Sequence, residues 1–195
     1  MTESARMAAH LRGLAAAANT VADALEDELA ALLGDVLVTL ESGGKLMFCG
    51  NGGSAADAQH LATEYVVRFR RDGRPLPALA LTTDTSLLTA AANDLGFEQI
   101  FARQIEALGR PGDLLIIHST SGRSPNLIEA ARAAQRVGVR TAALLARGGG
   151  ALRDVVDRAI VLPLDDGAHA QELHLAIGHA VCDEIDTRLR VPHQK

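Results

Sequence analysis

Five short and almost continuously apolar runs punctuate this chain: residues 45–49 (KLMFC), 77–81 (PALAL), 114–118 (LLIIH), 141–145 (TAALL) and 159–162 (AIVL). None alternates apolar with polar residues, so each reads as a strand covered on both faces rather than on one. Helical patterns separate them, over residues 54–70, 86–108 and 124–137, a short stretch at 151–156 and a final one at 168–189. Parallel strands require crossovers, and right-handed ones. The alternation therefore predicts an α/β chain with three layers: a roughly five-stranded, doubly wound parallel sheet flanked by helices.

Ahead of the first run, residues 4–42 are rich in Ala and Leu, with Leu25, Leu29, Leu32, Leu33, Val36 and Leu40 at helical spacing before Gly43-Gly44. We expect an N-terminal helical arm over 1–43 and the α/β domain over 44–195, the two packed as one compact unit. A length of 195 residues suits one domain. Aromatic residues are only 3% of the chain, so the core must be built from Ala, Leu, Val and Ile. The net charge of -5 gives no broad basic footprint, which argues against nucleic acid as a partner. No apolar run approaches the roughly 20 residues that span a bilayer, so no membrane partner is expected. Cys49 and Cys182 stand far apart, and the first segment is too polar for a secretory signal; the expected location is the cytoplasm.

Ligands of an open parallel sheet bind beyond the carboxyl ends of its strands. Two turns there stand out. Gly50-Asn51-Gly52-Gly53-Ser54 is Gly-rich, able to bring its backbone close to a ligand, although a tight structural turn explains such a sequence equally well. Ser119-Thr120-Ser121-Gly122-Arg123-Ser124 follows LLIIH and opens a helix; its four hydroxyls and free N–H groups suit a phosphate dianion, where one hydroxyl would suffice for a cap. It lacks the Gly-Lys-Ser/Thr ending of a Walker loop.

His60, Glu64 and Arg68 step by four and would share one helix face, a spacing found both in metal or acid/base pairs and in ordinary surface pairs. The last helix carries Gln171, Glu172, His174, His179, Asp183 and Glu184 among apolar residues. Both His174 and His179 fall within a quarter turn of Gln171, on opposite sides, so periodicity does not choose between them.

GNGGSAADAQH at 50–60, then Glu64 and Arg68, TTDTS at 82–86, Asn93-Asp94, STSG at 119–122, and Gln171-Glu172 followed by His179 together resemble the phosphoheptose isomerase family. The resemblance runs in order from about Gly43 to Ile185. It implies a SIS (sugar isomerase) fold, a homotetramer with sites at subunit interfaces, and conversion of a phosphorylated seven-carbon sugar, sedoheptulose 7-phosphate, to D-glycero-D-manno-heptose 7-phosphate, the first step of heptose biosynthesis for lipopolysaccharide core or nucleotide-heptose. By the same resemblance Glu64 and His179 are the catalytic pair, and His60, Glu64, Gln171 and His179 hold one zinc ion per subunit. Ser119, Thr120, Ser121 and Ser124 match the phosphate loop; Asn51, Gly52, Gly53, Ser54, Glu64, Arg68, Asn93, Asp94 and Gln171 match contacts to the sugar. The stretch 165–170 (DDGAHA) departs from the family pattern, which has a basic residue and Ile before the Gln-Glu. The competing reading is a non-catalytic SIS protein that binds the replication initiator DnaA; relatives of that kind do not keep the full set of metal and catalytic positions. A sugar-phosphate-sensing module would need a DNA-binding domain, for which the chain has no spare length.

Overall fold

The computed structural model describes residues 1–190; the last five residues of the expected 44–195 unit lie outside the described residues. Five strands, β1 (Leu46–Gly50), β2 (Ala78–Ala80), β3 (Leu114–Ser119), β4 (Arg140–Leu145) and β5 (Arg158–Val161), pair in parallel in the order β2-β1-β3-β4-β5. The apolar runs are continuous because both faces are covered. Leu46 and Phe48 point into one core with Leu114, Ile116 and Leu144, while Met47 and Cys49 point into the other with Leu115, Ile117 and Leu145.

The first face is covered by α1 (Glu3–Ala24), α2 (Glu26–Glu41), α3 (Gly53–Val66) and α7 (Gly167–Leu189), which share one core cluster. The second is covered by α4 (Thr85–Leu95), α5 (Ala102–Leu108) and α6 (Pro125–Val137). The expected arm is thus two helices, broken at Leu25, whose buried Ala17, Val21, Leu32 and Val36 join the core of the first face. Among the described residues no helix is long and apolar enough to cross a membrane.

Two expected helices end elsewhere. The stretch 86–108 is interrupted at Gly96, whose φ of 94° favours glycine, giving α4, a 3-10 turn at Phe97–Gln99 and α5. The stretch 54–70 stops at Val66, and Arg68 lies beyond it. The cause is Arg190, whose guanidinium donates to the carbonyls of Glu64, Tyr65, Val67 and Arg71. Asp186, ion-paired to Arg190, accepts the backbone N–H groups of Arg70 and Arg71. These side chains take the backbone groups that further helix would have used.

The strand order changes direction between β1 and β3, because α3 leaves β1 toward one face and α6 leaves β3 toward the other. Such a switch point opens a crevice at the strand ends. Gly50 and His118 are register partners there, so the two turns singled out in the sequence emerge side by side.

Candidate active site

The Gly-rich turn and the Ser-rich loop are tied together by a reciprocal pair of amide hydrogen bonds, Asn51 to Asn126 at 2.9 Å and Asn126 to Asn51 at 2.8 Å. Asn126 is buried and was not singled out from sequence, where nothing distinguishes it from any polar residue near a helix start. Gly52 adopts φ 58°, which favours glycine, and Gly53 lets the Gln171 amide lie where a side chain would displace it. Ser54 is buried at the start of α3.

In the second loop Ser119 is buried and its hydroxyl accepts from the N–H of Gly122 at 3.0 Å; Ser121 accepts from Arg123 at 3.3 Å. Gly122 sits at φ 61°, and a Cβ there would overlap the Gly149 carbonyl oxygen, so only glycine fits the loop's path. Ser124 is the N-cap of α6 but makes no cap hydrogen bond. Its hydroxyl, with those of the half-buried Thr120 and Ser121, remains for a ligand at a helix N-terminus.

The acid/base and metal-ligating candidates lie along the seam between α3 and α7. Gly178 permits the close approach: a Cβ there would stand 2.5 Å from Leu61. His179 then faces His60, their Nε2 atoms 2.8 Å apart, with Glu64 Oε1 3.2 Å from His60 Nε2. One ligating atom from each of the three lies within 4.8 Å of the others. Phe69 stacks on the His179 ring at 5.0 Å, a contact periodicity could not reveal because Phe69 lies beyond the helix. Burial lowers the pKa of His179, with His60 and Arg70 acting in the same sense and Glu64 opposing, so the ring is neutral and has a lone pair at pH 7. Desolvation raises the Asp57 carboxyl, against the pull of the Gln171 amide and His60. Gln171 thus belongs to the same seam, its amide packed over Gly53 and beside Asp57.

Tertiary position separates the two histidines that periodicity left open. His174 is fully buried against His118 of β3, 6.0 Å between centroids, away from the seam. Arg68 does not join His60 and Glu64 on one helix face; it is exposed and bonds Asp72 at 2.7 Å. Asn93 and Asp94 are exposed on α4 and hydrogen-bond each other at 2.7 Å.

A parallel sheet with its ligand crevice at this switch point, carrying a serine loop and a His/Glu seam, defines a class, and the SIS-domain family model matches residues 9–146. A phosphoheptose isomerase of Akkermansia muciniphila is 52% identical over 151 residues, covering 77% of this chain and 80% of the relative. The solved phosphoheptose isomerase from Neisseria gonorrhoeae superposes with a TM-score of 0.89 at 41% identity, covering 95% of this chain and all of that one. The one from Francisella tularensis gives 0.92 at 37% identity, covering 96% of this chain and all of that one. The chain belongs to the phosphoheptose isomerase family.

Proposed function

We propose that the protein converts sedoheptulose 7-phosphate to D-glycero-D-manno-heptose 7-phosphate. The observation that carries this reading is the convergence of the Glu64 carboxylate with the neutral His179 imidazole on the seam between α3 and α7. An aldose–ketose isomerisation moves one proton from C1 to C2 through an enediol. Glu64 takes the C1 proton and returns it to C2, while His179 donates to the C2 oxygen and accepts from the C1 hydroxyl, each step suited to a positioned acid/base group. Ser119, Thr120, Ser121 and Ser124 hold the phosphate with backbone N–H groups at the start of α6, so affinity comes from the end of the substrate remote from the chemistry. Asn51, Gly52, Gly53, Ser54 and Gln171 contact the sugar where the first turn meets α7.

The donor set also fits a metal: two imidazole nitrogens and a carboxylate oxygen already converge, and these are ligand types that zinc takes. In this reading His60, Glu64, Gln171 and His179 hold one zinc ion per subunit, which when bound would supply Lewis-acid polarisation of the carbonyl; a metal-bound carboxylate is a poorer base, so Glu64 does not ligate the ion and take the C1 proton at the same moment. The assembly is a homotetramer in the cytoplasm. Two features support self-association: Asn93 and Asp94 are exposed on α4, and an apolar groove lined by Ala18, Leu29, Leu33, Ala176, Ile177 and Ala180 is open on the outside of α1, α2 and α7. In this reading Arg68, exposed beyond α3, contacts the sugar, as the family resemblance implies.

The test is an NMR assay of purified, metal-replete protein with sedoheptulose 7-phosphate in deuterated water. We expect the aldose product, with deuterium at C2 in the fraction of turnovers in which the proton held by Glu64 exchanges with solvent before it is returned. Binding without conversion would overturn the catalytic reading.

A further inference from the structure

A second gathering of ligating side chains lies on another face of α7 and shares no residue with the first. His169 and Glu172, three positions apart, lie on the side of α7 toward α1, from which His10 reaches across. The His10 and His169 rings are 4.5 Å apart, and His10 Nε2 is 3.5 Å from Glu172 Oε1. One ligating atom from each of the three lies within 4.8 Å of the others.

His169 is the anchored member. Its Nε2 is shut off from solvent and has no hydrogen-bond partner among the described residues. The Asp166 carboxylate stands 3.8 Å from its Nδ1 and is itself fixed by the backbone N–H groups of Ala168 and His169. A carboxylate on the Nδ1 side favours the tautomer that leaves Nε2 its lone pair, the usual way a histidine is presented to a metal. Gly13 of α1 makes the room, since a Cβ there would come within 2.9 Å of the His169 ring. A buried nitrogen without a partner is costly unless something meets it.

We propose that His10, His169 and Glu172 form a second divalent-metal site, which ties α1 to the start of α7. Two imidazoles and one carboxylate suit zinc, nickel or copper and disfavour calcium and magnesium, which take oxygen ligands. Metal bonds of about 2.0–2.2 Å bring donors to about 3.3–3.5 Å from one another, so the cluster contracts by roughly 1 Å on binding. The exposed side chains of His10 and Glu172 make that adjustment while His169 stays in place. The inference is independent of the isomerase reading: the residues are different and so is the helix face.

The experiment is calorimetric titration of chelator-stripped full-length protein with zinc, with melting temperature followed in parallel. The parent is expected to bind two ions per subunit. The His60→Ala, His179→Ala variant keeps one, and that ion raises its melting temperature. The further change His10→Ala removes it, and Glu172→Gln weakens it at least about tenfold. Both added changes lie at exposed positions on helices, so loss of fold does not mimic loss of binding, and circular dichroism verifies this. If the His60→Ala, His179→Ala protein takes up no zinc, or takes up as much after His10→Ala as before, the site does not exist.

Discussion

α7 holds a histidine in each of two very different places. His174 and its neighbour His118 lie between β3 and α7, fully buried, with no ring nitrogen partnered among the described residues. Burial pushes His118 down to about 3 and His174 down to about 4. One and a half turns further along, His179 faces His60 with the Glu64 carboxylate within reach and solvent nearby. Residue type, helix and sheet face are the same. An imidazole that can exchange protons or ions with the outside and has a carboxylate beside it is equipped to act as a reagent. In the interior pair it is a shaped, neutral filler.

The sharpest way to break this contrast is Glu64→Gln. Turnover should fall by about 10² to 10⁴, the range for loss of a positioned acid/base group, while the melting temperature changes little. The assay is initial rate by NMR beside a thermal melt. His174→Gln should do the reverse, lowering stability and leaving turnover per folded molecule near the parent's. Equal activity in the two variants would erase the distinction between the regions.

Acid should expose the interior pair. Both native pKa values are depressed below the ordinary histidine value of 6.5, so below that pH the unfolded chain binds two protons that the native state refuses. Their contribution is therefore intact above about pH 6.5 and is lost as pH falls toward 4, by about 1.4 kcal/mol per pH unit for each histidine. Chemical denaturation at a series of pH values gives the slope. In His174→Gln it should be about half as steep over this window, and an unchanged slope would mean that His174 is not held neutral by burial.

The smallest effect concerns the phosphate loop. The Ser124 hydroxyl makes no cap bond, so Ser124→Ala should cost the protein less than about 0.5 kcal/mol while removing a charge-assisted bond worth about 1.5 to 3 kcal/mol from the substrate phosphate. The Michaelis constant should rise about tenfold or more with the melt unmoved. A lower melting temperature with an unchanged Michaelis constant would make Ser124 part of the frame.

Much of this was legible in the sequence, for physical reasons. Strands buried on both faces leave continuous apolar runs, and all five runs became strands. The helical spacing of His60 and Glu64 survived because both lie within α3. Arg68 did not, because what ends α3 is the guanidinium of Arg190, a contact between residues 126 apart at its Glu64 carbonyl. Local periodicity carries no trace of such a partner. The choice between His174 and His179 was hidden for the same reason: both angles on α7 are acceptable, and only the places of His118 and Leu61 decide which ring meets the core and which meets the seam.

The contact between Arg190 and α3 also bears on how the molecule is made. A ribosome delivers Glu64 long before Arg190, and at about 5–20 residues per second the 126-residue separation corresponds to roughly 6–25 s. Through that interval the carbonyls at the end of α3, and the N–H groups of Arg70 and Arg71 that Asp186 will accept, have only water to bond. His179 and its surrounding helix are missing as well. A nascent chain can therefore complete β1 to β5 before the end of α7, with the contacts that close off α3, has been made.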